Sequence, residues 1–222
     1  MTIYFQLQHL DNRLESLSND QNVIINDIIC LQETSSDRGP TPNIRGYTYY
    51  SAGRGPHRGV GIFIKDFLKK YLINETGRDE KFGQFLKLSF LSFNIITVYR
   101  THLCQRANYG KLFINTLFNL INDNKPTIIS GDFNYDYLND KTGLLAHELR
   151  QAGFSQIVKE PTTVRGNCID HLYLPSNESN FEYKLYYPYY ADHEAIRVMI
   201  KGWKDPPTRS SMRRQLKRKK YT

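Results

Sequence analysis

Two polar side chains stand just beyond a short apolar run in the segment KPTIISGDFN, residues 125–134: Asp132 and Asn134. Pro126 opens the run, and Thr127, Ile128 and Ile129 have the length and β-branching of a buried strand, which Gly131 is expected to end. In open α/β proteins ligands gather beyond the carboxyl ends of such strands. A carboxylate and a carboxamide two residues apart there suit an oxyanion, a metal ion or an attacking water. They equally suit a Gly-Asp turn closed by an Asn that tolerates unusual dihedrals, and the tetrapeptide alone leaves both readings open.

The same arrangement recurs along the chain. Ile28-Ile29-Cys30-Leu31 reads as a buried strand that runs out at Gln32-Glu33-Thr34, so Glu33 takes the kind of position that Asp132 has. Asp170-His171 opens the strand-like IDHLYL, and Asp192-His193 precedes AIRVMI and follows the aromatic run YYPYYA. Tyr99, Arg100 and His102 close another strand; they could meet a phosphate, or simply pack and cap a loop. Arg54, His57 and Arg58 in AGRGPHRG could touch phosphates, although the glycines favour a solvated turn. One Asp-His pair is ordinary. Two of them, with Glu33, Asp132 and Asn134 all at strand ends, point to a shared site.

The elements that must position these residues follow from length and pattern. At 222 residues and 26.0 kDa the chain has room for one domain with a large core. Leu7, Leu10, Leu14 and Leu17 predict an amphipathic helix from Leu7 to about Asp20. Strands are expected at residues 2–6, 47–50, 59–65, 85–90, 93–99, 154–158, 169–174 and 195–200, besides those already named. Helices are expected over 109–122 and from a Thr142 cap to Ala152, stopped by Gly153. The adjacent strands around Leu91-Ser92 predict a hairpin and hence a mixed sheet.

Composition narrows the class. No apolar run approaches the roughly 18 residues of a membrane span, and the start, MTIYFQLQHLDNRLE, lacks the pattern of a secretion signal. The two sequons at Asn74 and Asn177 are therefore read as coincidental. Cys30, Cys104 and Cys168 have neither disulfide nor zinc spacing and are expected to be buried, reduced thiols of an intracellular protein. The net charge is +8, and Arg209, Arg213, Arg214, Lys217, Arg218, Lys219 and Lys220 hold seven of those charges, leaving the body near +1. Residues 1–203 thus read as the folded domain and 204–222 as a disordered basic tail, suited to a polyanion or to nuclear import.

In order, the chain carries LQET, GVGIFIK, VYR, GDFN, IDHLY and ADHEA. That ordered series, from about Ile3 to Ile200, resembles the endonuclease/exonuclease/phosphatase superfamily, the deoxyribonuclease I-like fold. Its ending is most similar to the apurinic-type endonucleases of non-LTR retrotransposons and related mobile elements. The resemblance implies an α/β fold: a four-layer α/β/β/α sandwich of two packed mixed β-sheets flanked by helices. It also implies a Mg²⁺-dependent phosphodiester hydrolase, with Mn²⁺ as substitute, that nicks DNA. Such nucleases are often the front part of a polyprotein with a reverse transcriptase, and the expected state is a monomer acting on nucleic acid, with no membrane partner. A lapsed nucleic-acid-binding module and an RNA-directed nuclease or deadenylase of the same fold stay open as alternatives.

The resemblance also assigns roles. Glu33 and Asp192 would ligate the metal, Asp132 would orient or deprotonate the attacking water, and Asn134 would hold the phosphate or Asp132. His193 would bind a phosphate oxygen with Asp170 steadying its ring, and Tyr99 would touch the phosphate. Arg100 and His102 are further candidate substrate contacts. Gln6 stands where the family usually has Asn, His102 where many relatives keep Asn, and Ala191 replaces a common Ser. The Cys168-Ile169-Asp170-His171 sequence departs from the signature of the inositol phosphatase branch and disfavours it.

Overall fold

The computed structural model describes residues 1–5, 14–34, 41–55, 58–121, 125–141 and 143–201. Gln6, His57, Thr142 and the basic tail, each the subject of an expectation above, lie outside the described residues.

Among the described residues twelve strands form two six-stranded mixed sheets. The first runs in the order β11 (Phe181–Tyr186), β12 (Ala195–Ile200), β1 (Thr2–Phe5), β2 (Ile28–Gln32), β4 (Val60–Lys65), β3 (Tyr47–Ala52). The second runs β5 (Leu72–Glu80), β6 (Gly83–Phe90), β7 (Asn94–Arg100), β8 (Thr127–Asp132), β10 (Asp170–Pro175), β9 (Phe154–Gln156). Each sheet has one parallel pair at its centre, β1 with β2 and β7 with β8, and antiparallel neighbours elsewhere. The carboxyl ends of β2, β7 and β8 and the amino ends of β10 and β12 therefore lie at the ends of the central strands, where polar residues were expected.

Alternation along the strands sorts side chains into layers. Ile95 and Tyr99 of β7, Ile128 of β8 and Leu172 and Leu174 of β10 point inward, packing with Ile28, Cys30, Ile62 and Val198 of the other sheet. Ile96, Val98, Ile129 and Tyr173 point outward and are covered by α3 (Ala107–Ile121) and α4 (Leu144–Gln151). On the far side Leu17 of α1 (Leu14–Asn19) and Val23 of α2 (Gln21–Ile24) cover Ile29, Leu31 and Phe63. These are the four layers of a deoxyribonuclease I-like sandwich. Between the sheets the Gln32 amide donates to the Thr97 hydroxyl at 2.7 Å, one residue below Glu33 and two below Tyr99. That bond marks where the apolar interior gives way to polar groups.

Several elements depart from the expectations. The leucine-spaced helix, of which residues 7–13 lie outside the described residues, ends as expected near Asp20; Asp20 takes extended backbone and accepts from Asn22 N at 2.8 Å, capping an additional short helix. Gly131 lies inside β8 rather than ending it: at φ 144° its absent Cβ would meet the Val98 carbonyl oxygen at 1.9 Å. Strands β5 and β11 and the 3₁₀ turn Asp66–Tyr71 are additional elements. Helix α4 starts after Gly143, which makes no side-chain cap bond. All three cysteines are buried and unbridged. Among the described residues no helix is long and apolar enough to cross a membrane.

Candidate active site

Register alone gathers much of the site. Gln84 pairs with Tyr99, Tyr99 with Asp132 and Asp132 with Asp170, so one rung of the second sheet holds a phenol and two carboxylates on its inner face. From the first sheet come Glu33, directly after β2, and Asp192 and His193, just before β12.

The backbone is bent to present them. Among the described residues the non-glycines with positive φ are Glu33 at 50° and Asn134 at 44°. Left-handed backbone at a non-glycine residue is held by its surroundings and clusters at functional positions. For Asn134 the holding bonds are visible: its N–H donates to Asp132 Oδ1 at 2.8 Å, and its side-chain amide donates to the Arg100 carbonyl at 2.8 Å.

A hydrogen-bonded chain then runs from His193 through the buried Asp170 to Thr162. His193 Nδ1 lies 3.1 Å from Asp170 Oδ2 and 3.3 Å from Oδ1. Asp170 is buried and also accepts from the Thr162 hydroxyl at 2.6 Å. Thr162 in turn accepts from the Ile169 and Asp170 amides, both at 3.2 Å, while its carbonyl accepts from Glu194 N at 2.8 Å. Thr163 forms a β-bridge with His193. One loop thus fixes both the carboxylate and the imidazole. No signal in the sequence marks Thr162: a threonine after proline in a loop has no distinctive spacing.

Tyr99 joins the two sheets. Its hydroxyl lies beside the Glu33 carboxylate and the Asn134 side chain. Burial first, then Glu33, holds this phenol protonated far above its ordinary range. Burial and then the Asp170 charge push Asp132 well above the usual carboxylate range, with Glu33 adding to the rise. For His193 burial pulls downward, but the hydrogen bond and charge of Asp170, with help from Asp132 and Asp192, outweigh it and raise the ring to about 9. It is an imidazolium at neutral pH.

The donor set fits a hard divalent cation. Glu33, Asp132, Asp170 and Asp192 bring four carboxyl groups toward the His193 end of the site, and burial first, then the Asp170 charge, raises Asp132. Carboxylate oxygens are the ligands such a cation prefers. Asp132, Asp170 and His193 offer ligand atoms within 4.8 Å of one another. That trio differs from the expected pair of Glu33 and Asp192, and His193 within it turns its Nδ1 to Asp170.

The other expected residues are placed differently. Arg100 follows Tyr99 and so faces the opposite side of the sheet. Its guanidinium donates to the carbonyls of Phe133 at 3.1 Å, Asn134 at 3.3 Å and Cys104 at 3.0 Å, and lies near the Phe113 and Tyr135 rings. It braces the Asp132–Asn134 turn from behind. His102 begins an exposed 3₁₀ turn. His171 alternates away from Asp170, is fully buried, stacks on Phe133 at 4.7 Å and meets the Tyr135 carbonyl at 2.8 Å. In the glycine-rich loop Arg58 pairs with Asp79 at 2.7 Å.

A two-sheet sandwich with a buried acid–imidazole chain where its central strands end defines a class of hydrolytic fold, and the comparisons agree. The sequence profile of the Endonuclease/Exonuclease/phosphatase family matches residues 4–193, and the chain belongs to that family. Comparison with curated proteins by sequence gives no match. Among solved structures the chain is similar to a 3′-5′ exonuclease (NExo) from Neisseria meningitidis, with a TM-score of 0.71 and 13% identity over 90% of this chain and 99% of that one. An AP endonuclease from Archaeoglobus fulgidus gives 0.64 and 14% over 90% and 99%. Truncated TDP2 from Caenorhabditis elegans gives 0.61 and 15% over 89% and 96%. At these identities the likeness is one of fold.

Proposed function

We propose that the protein is a metal-dependent phosphodiesterase that nicks DNA, at an abasic or mobile-element target site. The observation that carries this reading is the grouping of Asp132, Asp170 and His193, whose ligand atoms lie within 4.8 Å of one another, beside Tyr99 on the same rung and where the strand before Glu33 ends. The exonuclease and AP endonuclease among the similar structures support a nucleic-acid substrate. So does the basic tail, which would make binding strongly salt-dependent through counterion release.

Glu33 and Asp192 would hold Mg²⁺ or Mn²⁺. When bound, the cation supplies positive charge against the developing negative charge on the phosphoryl oxygens. Asp132, kept basic by its raised pKa, orients the attacking water and takes its proton. His193, held as imidazolium by Asp170, donates to a non-bridging phosphate oxygen. Tyr99 and Asn134 steady the phosphate and Asp132, and Arg100 keeps their turn in place. The expected setting is a nuclear monomer, either free-standing or joined to a reverse transcriptase.

Relaxation of supercoiled plasmid with Mg²⁺ or Mn²⁺, abolished by chelator and by Glu33→Gln, tests the reading. Asp132→Asn and His193→Ala should each slow nicking by at least about a hundredfold, the usual scale of positioned proton transfer. Near-full activity in either variant refutes the role given to that residue. Intact, abasic and single-stranded DNA and RNA, run side by side, separate DNA nicking from RNA hydrolysis, and no cleavage of any of them favours a binding module.

A further inference from the structure

The connection between β11 and β12 reads Tyr187-Pro188-Tyr189-Tyr190-Ala191 and runs straight into Asp192 and His193. Its tyrosines are used in two ways. Tyr186, the last residue of β11, and Tyr190 both donate to the same Asp20 oxygen, at 3.0 and 2.8 Å. Asp20 also caps α2, so a single carboxylate ties both ends of this connection to a helix start. Both rings lean on the apolar cluster of Leu17, Val23 and Phe63. Tyr189 and Tyr187, in contrast, are 79% and 52% exposed. The Tyr189 and Tyr190 rings are perpendicular, with centroids 4.8 Å apart at 86°, and most of the Tyr189 surface stays open to solvent.

A braced, solvent-facing aromatic ring has little conformational freedom left to lose, and its flat face offers affinity to another flat, apolar face. We propose that Tyr189 is a stacking platform for a nucleobase of the strand being cut, beside the scissile phosphate held by His193. This rests on the nucleic-acid reading above and gives that site a further subsite. Three residues lie between Tyr189 and His193, so the chain can set their Cα atoms at most about 14 Å apart. That is on the order of four nucleotides at the roughly 3.4 Å rise of one strand. A base that lies flat on a tyrosine has left its duplex neighbour. The platform therefore selects substrate that is single-stranded, frayed or interrupted near the cut.

The test is a cycle between the ring and the base. Tyr189→Ala should lower kcat/KM on a single-stranded or frayed oligonucleotide by about 5- to 150-fold, the range found when an aromatic ring is removed from a stacked base. Tyr189→Trp should restore it. Oligonucleotides in which each of the four nucleotides on either side of the cut is replaced in turn by a base-free tetrahydrofuran should locate one position whose loss matches Tyr189→Ala. At that position the two changes together should do no more than either alone. Fully additive effects at every position, or an unchanged kcat/KM in Tyr189→Ala, overturn the platform.

A second readout does not depend on cleavage. With chelator present, 2-aminopurine at the located position, or at each of the eight in turn, should be quenched by the wild-type protein and not by Tyr189→Ala. Quenching by the wild type without any hydrolysis would overturn the nuclease reading and keep the platform. Hydrolysis with equal quenching by both proteins would do the reverse.

Discussion

Changing Thr162 to Val exchanges a hydroxyl for a methyl at nearly constant volume, in a residue with no exposed surface. The hydroxyl donates to Asp170 at 2.6 Å and accepts from two amides at 3.2 Å, so the change removes one charge-assisted bond and two long neutral ones. A hydrogen bond to a charged group is worth about 1.5–3 kcal/mol, and unsatisfied buried donors raise the loss, so Thr162→Val should destabilise by about 2–4 kcal/mol. Function should suffer beyond this. Asp170 keeps its contact with His193 but loses the bond that fixes its orientation, and partners that only orient a reacting histidine typically carry about 10- to 100-fold. Urea unfolding measures the first effect, and initial rates of plasmid nicking on protein shown to be folded measure the second. Thr162→Ser retains the hydroxyl and should recover most of both. A Thr162→Val protein within about 1 kcal/mol of wild type and unchanged in rate would refute the chain from Thr162 through Asp170 to His193.

Arg100→Met should lower stability by about 2–5 kcal/mol, because buried carbonyls lose their donor, yet leave KM for DNA nearly unchanged; a raised KM at intact stability would return Arg100 to the substrate. Gly131→Ala should cost about 3 kcal/mol or more in chemical denaturation, since a Cβ would fall on the Val98 carbonyl, and a neutral effect would contradict the strand packing described. His171 bears on acid stability: burial first lowers its pKa from 6.5 to about 4. Its folded pKa is the depressed one, so the folded form is favoured above pH 6.5 and loses about 3 kcal/mol as the pH falls from 6.5 to 4. Unfolding free energies of wild type and His171→Phe across that window should show a shallower acid slope for the variant, and parallel slopes would contradict the neutral buried ring.

Apolar strands were the most legible part of the fold. β2, β4, β6, β7, β8 and β12 are continuous or alternating hydrophobic runs because they are buried on both faces or pack a sheet interface. β5, LINETGRDE, is an exposed edge strand paired with β6 alone, and nothing in its composition separates it from loop. β11, FEYKLY, does alternate, and the period-2 signal was there to be read. In the site, Asp132, Asp170 and His193 were legible because strand ends collect them. Arg100 and His171 stand next to Tyr99 and Asp170 in sequence, but alternation turns each away from the neighbour that faces the site. Thr162 was illegible for another reason: its role comes from a loop folding back over β10, which no local period encodes.

The claim on which the rest depends is that Glu33 and Asp192 hold the cation while His193 stays protonated against phosphate. Anomalous diffraction from crystals soaked in Mn²⁺ locates the metal without reference to activity. A peak within coordination distance of the Glu33 carboxylate, and away from His193 Nδ1, is the predicted result. A peak enclosed by Asp132, Asp170 and His193 instead, with Glu33 unengaged, would contradict it.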